Sequence, residues 1–180
     1  MRTLTMRELM CAPVDEFAGL PPVDSDADPL RMSNVINESE FMDVLIDVRR
    51  EYAGLLFYAG GSLQLGIGNA FLLVARCLSV LTWSHPMGLV PGGLGGHYVG
   101  GTAPMPVNGS CRFDLIGVMG GDIGLEAASM SFYVLDMPGM DDPMPFYDDP
   151  DVARIEAGVV TFDKAATPIA ASHWDASQYR

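Results

Sequence analysis

From Leu55 to Trp83 the chain reads LLFYAGGSLQLGIGNAFLLVARCLSVLTW, an apolar run broken by a single charged side chain, Arg76. Its first part, Leu55 to Ala75, is long enough for a membrane-spanning helix. Gly60, Gly61, Gly66 and Gly68 weaken a helix, however, and Gln64 and Asn69 would need hydrogen-bond partners in lipid. The pattern predicts paired strands instead. Ser62 to Leu65 alternates polar and apolar, Gly66-Ile67-Gly68-Asn69 has turn chemistry, and Ala70 to Trp83 is rich in branched and aromatic residues. The second arm of this hairpin is apolar on both parities, with Phe71, Leu73, Cys77, Leu81 and Trp83 on one side and Leu72, Val74, Leu78 and Val80 on the other. Such a strand is covered on both faces, in mid-sheet or at a bend between sheets. Arg76 then needs a buried partner or a place at a rim.

Around this centre the pattern is mixed. Residues 1–35 hold a short helix around Arg7 and then LPPVDSDADP, whose prolines and aspartates forbid regular structure, so they read as an irregular N-terminal arm. Phe41 to Arg50 fits both a helical stripe and an alternating strand; its β-branched residues favour the strand, with Arg49 to Ala53 as the bend. Met87 to Met105, which includes PGGLGGHYVGG, reads as a loop. Arg112 to Leu115 alternates, GVMGGD is a turn, and Ile123, Leu125 and Ala127 run on through Met130, Phe132 and Val134 as one arm of a second hairpin. DMPGMDDPMPFYDDPD, Asp136 to Asp151, has six aspartates, four prolines and no base, and it forms neither strand nor helix. Asp149 and Pro150 then open a short capped helix over 150–157. Thr161 to Arg180 reads as an irregular tail pinned by Phe162, Ile169 and Trp174. The expected fold is mainly β (α+β): residues 36–180 form one domain, an antiparallel sandwich or strongly bent sheet of about six strands with one or two short helices.

Charge changes the picture more than composition does. Ten basic against twenty-three acidic residues give a formal charge of -13, which argues against nucleic acid or an anionic membrane as partner. Glu51 and Asp114 bracket a stretch with no carboxylate, so the acids fall into an N-terminal and a C-terminal set outside the core. Cys11, Cys77 and Cys111 are odd in number and widely spaced, which predicts reduced thiols, and MRTLTMRELM has no apolar signal core, so a cytoplasmic location is expected. The sequons at Asn37 and Asn108 are then idle.

No motif supplies catalysis. GIGNAF has Phe71 where a dinucleotide fingerprint needs its third glycine, Lys164 is the sole lysine, and Gly60-Gly61-Ser62-Leu63-Gln64 lacks the closing glycine of a nucleophile elbow. His85, His97 and His173 are too scattered for a metal motif, and no cofactor is expected. Asp141, Asp142, Asp148, Asp149 and Asp151 could offer oxygens to calcium, but without EF-hand spacing. The same segment suggests a protein interface more strongly. Phe146 and Tyr147 stand between acidic pairs, an aromatic anchor ringed by carboxylates that suits a basic protein partner. In the alternative, a small-molecule or calcium-binding module, the Gly-rich loop 88–101 closes over a ligand with His97 and Tyr98. An enzyme of unrecognised type would need residues converging from distant positions. A homo-oligomer through an exposed strand edge fits all three readings.

The succession LLFYAGGSLQL, GNAFLLVARCLSVLTW and SFYVLDMPGMDD before a short helix resembles small acidic β-rich actinobacterial proteins grouped with the immunity proteins of polymorphic toxin systems. The resemblance spans residues 43–158 as an order of strands. It implies a non-catalytic binding role, such as inhibition of a toxin; the acidic and aromatic pattern, and not the resemblance, makes Asp141, Asp142, Phe146, Tyr147, Asp148, Asp149 and Asp151 the expected contact surface for a basic one.

Overall fold

The computed structural model describes residues 3–60, 62, 64–84, 97–117, 121–140 and 159–176. The chain begins with β1 (Leu4–Thr5) and helix α1 (Met6–Cys11) and then builds β2 (Glu40–Asp47), β3 (Tyr52–Tyr58) and β4 (Ala70–Ser84). β5 (His97–Val107), β6 (Ser110–Gly117), β7 (Asp122–Asp136) and β8 (Ala165–Asp175) follow. All pair antiparallel in one sheet of order β1-β8-β7-β4-β3-β2-β5-β6. One edge of β7 is shared. Its residues Asp122–Ala127 pair with β6, while Ser129–Asp136 pair with β8. The pairings β4-β3-β2-β5-β6-β7 therefore close on themselves as a six-stranded barrel, and β8 with β1 continues the sheet beyond it.

Bulges supply the curvature. The register slips between Phe41 and Asp43, between Leu78 and Val80, and between Val99 and Gly101. Cys77, just ahead of the second of these, has φ 52°. An extra residue on one strand bends it and increases its twist, which lets so few strands close.

Two apolar layers result. Phe41, Leu55, Phe57, Phe71, Leu73, Phe113, Leu125 and Phe132 fill the barrel, joined by Val23, Leu30, Val35 and Ile36 from the segment ahead of β2. The second layer lies on the opposite face of β3, β4 and β7, where Leu56, Leu72, Val74, Tyr133 and Leu135 meet Met6, Leu9, Met10, Phe17 and Phe162. α1 is six residues long, too short to persist alone. A capping box closes its first turn: Glu8 N–H donates to Thr5 Oγ1 at 3.2 Å, and Thr5 N–H donates to Glu8 Oε2 at 2.8 Å. Burial of Met6, Leu9 and Met10 does the rest, at about 1.5–3 kcal/mol per large side chain. Gly54 allows the close fit, since a Cβ there would lie 3.0 Å from both Met10 Sδ and Phe162 Cε1.

The double coverage read from the parity of Ala70 to Trp83 holds for Ala70 to Arg76, where every residue is buried, and fails beyond it, where Cys77, Val80 and Trp83 are exposed. Phe41 to Asp47 is strand, and the bend falls at residues 48–51. Among the described residues eight strands stand where about six were expected, in one sheet that closes on itself. β3 ends at Tyr58, so the alternation of Ser62 to Leu65 belongs to the connection between β3 and β4; Ser62 N–H donates to Ala59 O at 2.8 Å and turns the chain there. The loop expected up to Met105 is strand β5 from His97 onward, its glycines and prolines tolerated because most of its second edge has no strand partner. The tail expected to be irregular is β8, with Pro168 beside the bulge opposite Val134 and Leu135. Phe162 and Trp174 are buried as expected. The acidic segment from Asp141 and the helix expected over 150–157 lie outside the described residues.

Candidate functional site

The seven residues expected at the partner surface, Asp141, Asp142, Phe146, Tyr147, Asp148, Asp149 and Asp151, lie outside the described residues. His97 and Tyr98 are the first residues of β5, opposite Phe41 and Glu40 of β2. Residues 88–96 of the expected ligand loop lie outside the described residues, and these two begin a strand at one mouth of the barrel. There the ends of β4 and β6 and the starts of β2, β5 and β7 surround a shallow apolar cleft lined by Phe41, Trp83, Tyr98, Val99, Leu115 and Ile123. Its closed volume is about 10 Å³, room for one water.

Trp83 sits at the mouth because the bulge after Cys77 redirects β4. Trp83 pairs with Ile123, and its indole meets Phe41 edge-on at 6.2 Å and 87°. Phe41 in turn packs edge-on against Phe57 at 5.8 Å, so the indole is seated on the core while 50% of Trp83 remains exposed. Tyr98 is 52% exposed. Carboxylates stand close by. Glu40 is opposite Tyr98, the exposed Glu38 donates its N–H to Val99 O at 3.0 Å, and the exposed Asp122 is opposite Ser84. Parity alone puts Trp83 with the core side chains; the signal that it closes the apolar run next to Ser84 went unused. The assembly of Glu38, Glu40 and Asp122 around it depends on barrel closure, which no local pattern shows.

A second polar group lies on the outer layer. Arg76, 7% exposed, donates from Nη1 to Ser131 Oγ at 2.7 Å and from Nη2 to Ala12 O at 3.2 Å, and its guanidinium lies 5.6 Å from the centre of the Tyr52 ring. Ala12 caps the C-terminus of α1, where a cation meets the negative end of the helix dipole. This is the buried partnership that the lone charge in the apolar run requires. Ser131 Oγ is also 2.9 Å from His173 Nδ1, across the β7–β8 pair. Buried Asp28 accepts from Ser172 Oγ at 2.7 Å and from Leu30 N–H at 3.0 Å, and it pairs with Arg31. Serine, histidine and aspartate thus meet without forming a catalytic triad. The aspartate bonds Ser172 and not the imidazole, and Ser131 Oγ is 1% exposed with a guanidinium donating to it.

Burial and the Arg76 charge hold the His173 pKa below its ordinary 6.5, against a smaller opposing pull from Asp28. A base with a depressed folded pKa takes up its proton more readily in the unfolded chain. Its neutral form thus contributes stability above about pH 6.5 that is lost as pH falls towards the folded pKa. The urea midpoint should drop as pH falls below about 6.5 in the native protein, and the His173→Gln variant should lose that component of the drop. An identical profile in the variant would remove the imidazole from the account.

Burial pushes the Cys111 thiol up to about 11, which suppresses thiolate chemistry there. Among the described residues no group of three or more His, Cys, Asp or Glu could hold a metal ion, and no helix is long and apolar enough to cross a membrane.

No protein-family model matches the chain, and no curated protein matches it. Among solved structures it is similar to an uncharacterized protein from Neisseria gonorrhoeae, at 10% identity and a TM-score of 0.41, over 56% of this chain and 96% of that one.

Proposed function

We propose that the protein is a non-catalytic, cytosolic binding protein that grips a basic protein partner at the acid-rimmed aromatic mouth of the barrel, as an immunity-type inhibitor grips its toxin. The observation that carries this reading is the half-exposed pair Trp83 and Tyr98 lining one cleft with Phe41, the indole edge-on to the Phe41 ring, with Glu38, Glu40 and Asp122 at neighbouring backbone positions. Pre-seated aromatics lose little entropy on contact and tend to dominate interface energy, while surrounding carboxylates speed encounter with a cationic surface. The cleft is shallow and apolar, which suits a side chain laid across it. Asp141, Asp142, Phe146, Tyr147, Asp148, Asp149 and Asp151 remain part of the proposal as a separate acidic contact for the same basic partner.

The test begins with cross-linking in the producing cell, followed by titration of each purified candidate against native protein and variants. Trp83→Ala and Tyr98→Ala should each weaken a true partner about 30-fold, equivalent to roughly 2 kcal/mol. Association should also slow as salt rises. A partner that binds both variants as tightly as native protein, or binds independently of salt, would sink the reading. Asparagine at Asp141, Asp142, Asp148, Asp149 and Asp151 should slow association if the acidic segment takes part.

A further inference from the structure

Most strand edges of the described sheet are occupied or guarded. β3, β6 and β7 are paired on both sides, as is β4 from Ala70 to Arg76. β8 is covered by β1 and by the segment at Pro22 and Val23, where Ala171 N–H donates to Pro21 O at 3.0 Å and Val23 N–H donates to Ala171 O at 3.1 Å. The open edge of β2 beyond Phe41 carries Asp43 and Asp47, and that of β5 carries Pro104 and Pro106. Inward or edge charges, prolines and short strands are how proteins keep such edges from pairing with other chains.

One stretch breaks this rule. After Leu78, whose N–H donates to Glu51 O at 2.9 Å, β4 runs on through Ser79-Val80-Leu81-Thr82-Trp83-Ser84, which among the described residues pairs only with β7. It has no charge, proline or glycine. Ser79, Val80, Thr82, Trp83 and Ser84 are exposed, with Val80 at 39%. We propose that this edge pairs with the same edge of a second copy of the chain, antiparallel about a two-fold axis, to make a dimer with a sheet continuous through both barrels.

Two observations select a second copy as the occupant. An open edge presents both donors and acceptors, and antiparallel pairing about a two-fold axis matches it to itself. A register centred on Leu81 would set the β-branched Val80 opposite the partner copy's Thr82, a favourable cross-strand pair. Charge is the second observation. The formal charge of -13 should keep copies apart, yet the edge lies inside the carboxylate-free stretch between Glu51 and Asp114, so pairing brings no two acids into register. The self-association therefore strengthens as salt screens the remaining repulsion, the opposite of the trend expected for a basic partner. It does not depend on the binding role proposed above.

Analytical ultracentrifugation of the full chain at about 1–100 µM, at low and high salt, reads the equilibrium. A monomer–dimer equilibrium is expected, tightening with salt. The variant Val80→Lys/Thr82→Lys puts like charges opposite one another across the axis and should weaken the dimer at least ~100-fold. Hydrogen exchange of the native amides from Ser79 to Ser84 should slow as protein concentration rises. A chain that stays monomeric throughout, a dimer indifferent to the double variant, or exchange independent of concentration would each overturn the proposal. Because both substituted positions are exposed, far-UV circular dichroism should show the variant folded; if it is not, the native exchange data decide alone.

Discussion

Phe71→Ala is expected to lower the unfolding free energy by about 3–5 kcal/mol, and Leu72→Ala, one residue along, by about 2–5 kcal/mol. Adjacent strand residues point to opposite faces. In an antiparallel sheet with one solvated face, one of the pair would therefore tolerate truncation. Here both are fully buried. Phe71 faces the barrel interior, with its ring 5.5 Å from that of Phe132. Leu72 belongs to the outer layer with Met6, Met10 and Tyr133. Each truncation removes apolar area and leaves a cavity that surrounding strands cannot collapse. Urea midpoints at constant slope measure both effects, and a loss below about 1 kcal/mol at either position would mean that its face is open to water.

Asp28→Ala should cost about 3–5 kcal/mol. The carboxylate is 1% exposed and accepts from Ser172 Oγ and Leu30 N–H besides pairing with Arg31. Removing it leaves donors buried without acceptors, which is more expensive than the net worth of the bonds themselves. Asp28→Asn keeps one acceptor oxygen and should lose roughly half as much. The ion pair with Arg31 is half-open to solvent on the arginine side and contributes the smaller share. Chemical denaturation gives the magnitudes. Limited proteolysis locates the damage, since cleavage should appear first between residues 12 and 31, the segment that Asp28 ties to β8. Unchanged proteolysis with a loss below 1 kcal/mol would show that the tie carries no load.

What was legible in the chain was the alternation of β2, the double parity of the first half of β4 and the short helix around Arg7, because each is written in neighbouring residues. What was not legible was written in distant ones. β8 is rich in small residues and contains Pro168, so it has weak local strand character; it forms because β7 offers a free edge from Ser129 to Asp136. β5 looks like a loop for the same reason, its glycines and prolines being tolerable only where few ladder bonds are required of it. Trp83 and Tyr98 are distant in sequence from Glu38 and Glu40, and only closure of the ring collects them at one mouth. Arg76 falls between these cases. Its burial and need for a partner follow from the apolar run around it, but Ser131 and Ala12 could not have been named without the sheet register and the place of α1.

Leu4 pairs with Ala166, and the hydrophobic seat of α1 includes Phe162 and Tyr133. During synthesis Met6, Leu9 and Met10 emerge long before that seat exists, so they must wait unsatisfied for most of translation. Contacts this remote in sequence make folding slow and leave the apolar side chains of this segment exposed in the nascent chain.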